Sequence, residues 1–363
     1  MKKWKVGIVG LRRGMGFVNV FGAHPDVEVS ALCDLDEKKL TDLGSAFNLD
    51  DSSLFTDFDD FVNADMDIVM IATPIRCHTE QTIKSLQAGK HVLCEQTVAY
   101  TVEECEAVFN AVKQTGKSYM MAENYCYFQY VREWQKIIDQ GKLGKIYYAE
   151  GEYIHEIMHL MHNKDTDAYY WRHERPPIWY CAHTLGPVLT LMDDRIVRAC
   201  GMTSGFTRRP EFKDHPGFLD FQIGLFETAK GAVVKILRSQ TAARPHTVWY
   251  SLYGTKGHLE NERDTGNGLY FSEDELNMST VEFSPANALA CPVSDKNAPA
   301  EAQHGGHGTS EYYLIRDFID SLNNNVRPPI DIVRSLDFTI PGIIAHQSSM
   351  QNGKWLDVPI FDW

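Results

Sequence analysis

Val6-Gly7-Ile8-Val9-Gly10-Leu11-Arg12-Arg13-Gly14-Met15-Gly16 is the stretch on which the fold turns. Val6 to Val9 is a short buried strand by composition, and the glycine-rich turn after it runs into a helical pattern reaching about Ala23. Val27 to Cys33 is a second apolar run, closed by Asp34. Together these make a βαβ unit. Glycines in such a turn let main-chain N–H groups approach a pyrophosphate at the helix N-terminus, and an acidic residue ending the second strand can hydrogen-bond the adenosine ribose. Asp34 follows Gly10 at about the spacing this role needs. The glycines do not form a regular GxGxxG, so an ordinary strand-to-helix turn would also fit them. The flanking elements and Asp34 decide for a nucleotide site with Gly10, Arg12, Gly14, Met15 and Asp34 as its candidate contacts. A carboxylate at Asp34 repels a 2′-phosphate, which favours NAD over NADP. Arg12 and Arg13 are the opposing signal, because arginines near the loop can accept that phosphate.

The alternation continues. Asp36–Phe47, Cys77–Gly89 and Val102–Gly116 read as helices, and Asp67–Ala72, His91–Glu95 and Ser118–Ala122 as strands. This predicts an α/β domain over residues 1–122, a doubly wound parallel sheet that binds ligands at the carboxyl ends of its strands. Thr73-Pro74, Glu95-Gln96 and Glu123-Asn124 fall at those ends.

From residue 123 to 363 the pattern changes to α+β. A helix at Phe128–Gln140 leads to a strand at Lys145–Tyr153. Alternating segments at Phe218–Glu227, Ala232–Arg238 and Thr247–Tyr253 predict an open, mostly antiparallel sheet. Residues 261–308 read as long loops, and helices at Thr309–Leu322 and Asp331–Met350 follow, the last free to pack back on the first domain. Tyr180 and His183 stand three apart at a helix start, on one face, a pair able to pass a proton. A core tyrosine with a histidine bonded to a carbonyl would show the same letters.

The segment ATPIRCHTEQTIKSLQAGKHVLCEQ, with Thr73-Pro74, His78 and Ala88-Gly89-Lys90-His91-Val92 before Glu95, resembles the Gfo/Idh/MocA oxidoreductase family. The resemblance implies cofactor contacts from Thr73, Pro74, His78, Glu95 and Gln96. Family members carry lysine after the glutamate, at the nicotinamide and the substrate hydroxyl. This chain has Gln96, which hydrogen-bonds but carries no proton away. Tyr180-x-x-His183-x-Leu185-Gly186-Pro187 is similar to the branch holding the NAD-dependent α-N-acetylgalactosaminidases, which also lacks that lysine. So are Glu123-Asn124, Tyr153 in Gly-Glu-Tyr-Ile-His, Trp171-Arg172, Arg244-Pro245 and His304-Gly-Gly-His307-Gly, so the likeness spans essentially the whole chain. The branch has a tyrosine where this chain has His246, so the sugar itself does not carry over.

What the resemblance implies is glycoside cleavage by transient oxidation. Hydride leaves carbon 3 of the sugar for NAD, and the ketone acidifies the proton on carbon 2. The group on carbon 1 is expelled, water adds, and the retained cofactor reduces carbon 3 again. Tyr180 and His183 are the expected catalytic pair, with Glu123, Tyr153, Arg172, Gln96, Arg244 and His246 about the sugar. A sugar or cyclitol dehydrogenase that releases NADH is the alternative, and a non-catalytic NAD-dependent sensor a third reading.

Two decoys need weighing. His155-Glu156-Ile157-Met158-His159 is a literal HExxH, but it follows directly on a predicted strand, whereas zinc proteases carry it on a helix. No metal is expected there; the His304/His307 pair could bind one, but its Gly-Gly spacing suits a tight turn equally well. Arg172, Arg175, Arg238 and Arg244 suit an anionic sugar if two converge on the site, and surface ion pairs otherwise.

Bulk properties narrow the class. The 363 residues are 44% apolar and 23% charged, and the formal net charge of -14 leaves no basic face for nucleic acid or an anionic membrane. Eight scattered cysteines without a CxxC pair read as reduced thiols. No stretch is long and apolar enough for a bilayer, and MKKWKVGIVG lacks the apolar core of a signal peptide, so a cytoplasmic protein is expected. An open sheet needs cover on its outer face, which predicts a homo-oligomer, dimer or tetramer.

Overall fold

The computed structural model describes residues 3–272 and 292–363. Among them the chain divides into two compact units, Met1–Tyr127 with Asp295–Leu336 and Phe361–Trp363, and Phe128–Ser294 with Asp337–Ile360.

The first unit is built on strands β1 (Trp4–Val9), β2 (Val27–Cys33), β3 (Leu54–Phe55), β4 (Ile68–Ile71), β5 (His91–Cys94) and β6 (Tyr119–Met121). They form one sheet in the order β3-β2-β1-β4-β5-β6, with every pairing parallel. This is the Rossmann order, with its switch point between β1 and β4. β4 reads Ile-Val-Met-Ile and is buried throughout, as a strand covered on both faces must be. The helices between strands are α1 (Leu11–Ala23), α2 (Glu37–Ala46), the single turn α3 (Phe58–Phe61), α4 (Ile75–Gln87) and α5 (Val102–Thr115). α5 starts at a full capping box, Thr101 with Glu104, and ends at Gly116 with φ 64°. β3 was not legible in the sequence, because two residues are too few to show a period.

The later segment of this unit returns to it through specific bonds. The Met121 N–H donates to the Ile330 carbonyl at 3.1 Å, beyond the end of helix α8 (Ser310–Asn323). Phe361 packs edge-on against Phe109 of α5, with ring centroids 5.3 Å apart.

The second unit holds an eight-stranded sheet. Its strands are β7 (Ile146–Ile154), β10 (Ile196–Thr203), β11 (Gln222–Thr228), β12 (Val233–Ser239), β13 (Thr247–Gly254), β14 (Gly257–Asn261), β15 (Gly268–Ser272) and β16 (Leu356–Asp357). The order is β15-β14-β13-β7-β12-β11-β10-β16. Pairings are antiparallel except β7 with β12, which are parallel and set Tyr153 opposite Arg238. A separate short ladder joins β8 (His162–Asn163) to β9 (Ala168–Tyr169). Helix α6 (Gln129–Asp139) precedes β7, and α7 (Ala182–Met192) packs on it. α7 is buried on nearly every side, so no amphipathic stripe marked it in the sequence. Helix α9 (Ile332–Ser349) starts in the first unit and ends in the second. Part of the segment read as loops, 261–308, is ordered otherwise: β15 is paired through five residues because its Leu269 and Phe271 are buried. Residues 273–291 of that segment lie outside the described residues.

Candidate functional site

In the first unit the site grows from the end of β1. Gly10 sits at φ 88°, and a Cβ there would lie 2.7 Å from the Ala72 carbonyl group and the Thr73 nitrogen. No side chain fits, so the main chain is free to approach a ligand. α1 begins at the next residue, and its first-turn N–H groups have no acceptor within the helix. Gly14 faces Ile8, which lets α1 lie close on the sheet. Arg12 and Met15 are exposed on the same helix. Asp34 follows β2 directly and accepts from Leu11 N–H at 2.6 Å and Asp36 N–H at 2.9 Å, so its carboxylate stands at the α1 N-terminus.

Across the switch point lie Thr73, Pro74, His78, Glu95 and Gln96. Thr73 Oγ1 donates to Gln81 at 2.6 Å, and Pro74 is the N-cap of α4. His78 is 1% exposed, and its ring nitrogens face the carbonyls of Thr97 at 2.8 Å and Thr73 at 2.9 Å. Burial pushes its pKa down, so the neutral ring donates to one of them. It acts as a strut between the two loops. Gln96 is buried, its N–H donates to Glu95 Oε2 at 3.2 Å, and its peptide bond to Thr97 is cis. Glu123, fully buried after β6, accepts from Tyr125 N–H at 3.2 Å.

Two residues here take places that the sequence did not assign to them. Asn124 is 1% exposed, and its Nδ2 has no hydrogen-bond partner, a buried donor pair that a ligand would satisfy. Arg13 does not wait for a 2′-phosphate: its Nε lies 2.7 Å from Glu95 Oε1 and its Nη2 3.2 Å from Glu311 Oε1. The glycine cradle, Asp34 and the Asn124 amide fit a dinucleotide.

The second unit carries a cluster of aromatic and basic side chains. Tyr180 closes a single 3-10 turn at Pro177–Tyr180, and His183 lies in the first turn of α7. Their rings meet edge-on, with centroids 5.0 Å apart. Tyr153, next to last on β7, stands 5.3 Å from the His183 ring and 6.4 Å from Tyr180. Its hydroxyl is 2.8 Å from His155 Nδ1. Burial, His246, the guanidinium groups of Arg238 and Arg175, and His159 hold His155 at a pKa of about 3, so the ring is neutral and its tautomer decides which of the two groups donates. The exposed His246 stacks on His155 at 4.2 Å, beside Tyr153. The Tyr250 hydroxyl donates to the His183 carbonyl and fixes the start of α7.

Two buried arginines flank the tyrosines. Arg175 lies 3.6 Å over the Tyr180 ring and Arg238 4.1 Å over the Tyr153 ring. Arg175 donates to Gln240, and Arg238 Nε to the Pro177 carbonyl. Of the four arginines weighed from the sequence these two meet at the cluster. Arg172 stacks 4.3 Å over Trp171, and Arg244 is exposed. The parallel register of β7 and β12 brings Arg238 to Tyr153, and a register cannot be read from composition. The HExxH letters do not make a zinc helix: His155 and Ile157 continue the β7 ladder to Ser239 and Gln240, and His159 is exposed. Among the described residues no group of three or more histidine, cysteine or acidic side chains could hold a metal.

Comparison with known proteins divides the chain between residues 123 and 127, near the first boundary between the two units. The family described as oxidoreductase family, NAD-binding Rossmann fold, matches residues 4–123, and glycosyl hydrolase 109, C-terminal domain, matches 127–362. A glycosyl hydrolase family 109 protein of Saccharopolyspora erythraea is 25% identical, over 98% of this chain and 83% of its own. Another, from a Shewanella species, is 28% identical, over 99% and 86%. Among solved structures, levoglucosan dehydrogenase in complex with NADH and L-sorbose superposes with a TM-score of 0.81 at 20% identity, covering 99% of this chain and 100% of that one. The myo-inositol 2-dehydrogenase of Lactobacillus plantarum gives 0.74 at 19%, over 99% and 100%. The chain thus belongs to the glycosyl hydrolase 109 family, an NAD-dependent glycosidase-type enzyme whose N-terminal domain is the Gfo/Idh/MocA Rossmann fold.

Proposed function

We propose that this enzyme cleaves a sugar glycoside by transient oxidation at carbon 3, with no net change of redox state. The observation that carries this reading is the Tyr180–His183 pair, ring centroids 5.0 Å apart, with Tyr153 at 5.3 Å from His183. It supplies proton-transfer groups in a chain whose residue after Glu95 is a glutamine. Bound NAD would supply the hydride acceptor and donor, held by the Gly10 turn, Asp34, Thr73, Pro74, Glu95 and the Asn124 amide.

The chain's own residues handle the protons. His183 takes the carbon 3 hydroxyl proton, and Tyr180, acting as its phenolate, removes the proton from carbon 2 once the neighbouring ketone has made it acidic. The carbon 1 substituent then leaves with its bonding electrons, water adds at carbon 1, and the same pair returns the protons. Arg175 and Arg238 place positive charge over the rings of the two tyrosines. Glu123, Tyr153, Arg172, Gln96, Arg244 and His246 would position sugar hydroxyls. This chemistry needs no pair of carboxylates across the bond, unlike ordinary glycosidases.

None of the seven described cysteines is disulfide-bonded, which supports a reducing, cytoplasmic setting. No helix among the described residues is long and apolar enough to cross a membrane. Met202, Ile223, Leu225 and Val233, exposed on one sheet face, support self-association into a dimer or tetramer.

A screen of α- and β-nitrophenyl glycosides, neutral and anionic, with and without NAD, tests the reading. Nitrophenol release without accumulating NADH is expected. NADH accumulating without nitrophenol would instead establish a dehydrogenase, in which His183 takes the hydroxyl proton and the reduced cofactor departs. Deuterium appearing at carbon 2 during hydrolysis in D2O is the second expected result, and its absence removes the elimination step.

A further inference from the structure

Arg13 is in an unusual place. A cation in the first turn of a helix opposes the helix dipole, so α1 gains nothing from it. The side chain is nonetheless fixed between two acids, Glu95 at 2.7 Å and Glu311 at 3.2 Å. Glu311 lies in the first turn of α8, where its charge is favoured, and its side chain is fully buried. It accepts from His307 N–H at 3.1 Å, from Ser310 Oγ at 3.1 Å and makes a 2.7 Å contact with His307 Nδ1.

The loop that delivers these groups has no spare room. A Cβ on Gly305 would lie 2.8 Å from Glu311 Oε2, and one on Gly306 3.3 Å from Arg13 Nη1. This explains the His-Gly-Gly-His spelling without a metal. The chain of contacts reaches Gln96, whose N–H donates to Glu95 Oε2. In a Rossmann sheet the half beyond the switch point takes the second mononucleotide, here the nicotinamide, since Asp34 marks the adenosine half.

We propose that the Glu95–Arg13–Glu311 bridge, completed by His307, is a positioning device for the nicotinamide end of the cofactor site. Arg13 orients Glu95, Glu95 holds the Gln96 main chain, and Glu311 on the distant return segment holds Arg13. The inference rests on NAD binding alone and stands whether the sugar is hydrolysed or oxidised.

The test uses nucleotide-free full-length protein and two probes, NAD and ADP-ribose, which lacks the nicotinamide. Glu311→Gln keeps the shape and removes the charge. It is expected to weaken NAD at least tenfold while ADP-ribose affinity stays within twofold. Unchanged NAD affinity overturns the proposal. Equal loss for both probes also overturns it, since general damage to the loop would act on both. If Glu311→Gln does not fold, His307→Gln carries the same comparison, with a threefold loss expected for NAD only and no selective loss as the overturning result. Arg13→Gln combined with Glu311→Gln should lose no more NAD affinity than the worse single variant, because both break one bridge. Additive losses overturn the single bridge.

Discussion

A methyl group on Gly10 meets main-chain atoms at 2.7 Å, and the residue sits at φ 88°. Neither strain can be relieved by a side chain moving. Gly10→Ala is therefore expected to cost about 1–3 kcal/mol in backbone strain and to abolish NAD binding, read by denaturant melts and nucleotide titration. In the proposed mechanism His183 takes part in the chemistry instead. His183→Ala should reduce turnover by about 10²–10⁴-fold while NAD affinity and melting temperature hold. Turnover that persists would move the proton transfers elsewhere. At this scale the sequence named much of what the folded chain groups together: Tyr153, Tyr180, His183 and His246 were legible as chemistry-bearing types. Arg13 was legible only as a possible phosphate contact, Asn124 only as the neighbour of Glu123, and Glu311 not at all, because an arginine, asparagine or glutamate shows its partner only in the folded chain.

Among elements, α5 shows how local signals fix a boundary. Thr101 accepts from Glu104 N–H at 3.1 Å, while Glu104 accepts from Thr101 N–H at the same distance. Thr101→Ala should cost about 1 kcal/mol, seen as a lower denaturation midpoint at unchanged slope. Element type was readable wherever a period was long enough, as in α1, α5 and β7. It failed for β3, which has two residues, and for β15, where polar neighbours hid a paired strand. The HExxH letters show the converse. The same spelling would place two histidines on one helix face, but here Ser239 and Gln240 continue the β7 ladder through it.

For the whole molecule, acid is the sharpest probe. Burial alone would raise the Glu311 carboxyl, yet His307 and Arg13 outweigh it and hold its pKa at about 2. The unfolded group titrates near about 4.3. Because the folded value is the lower one, the stabilisation is complete above the unfolded pKa and is lost as pH falls from there through about 2. The shift corresponds to about 3 kcal/mol. Urea denaturation of parent and Glu311→Gln should show a wide stability gap at pH 7 that narrows by pH 3. A gap independent of pH would mean that the bridge holds no such charge.

The sequence by itself determined the two-part architecture, the Rossmann alternation, the nucleotide turn and the tyrosine–histidine pair, because each follows from periods and spacings within about twenty residues. Tertiary structure alone decided the rest. The parallel pairing of β7 with β12 brought Arg238 onto Tyr153, and the return of residues 295–336 brought Glu311 to Arg13. Both are contacts between distant segments, set by strand register and by the need to neutralise buried charge, and no local pattern in the chain encodes either.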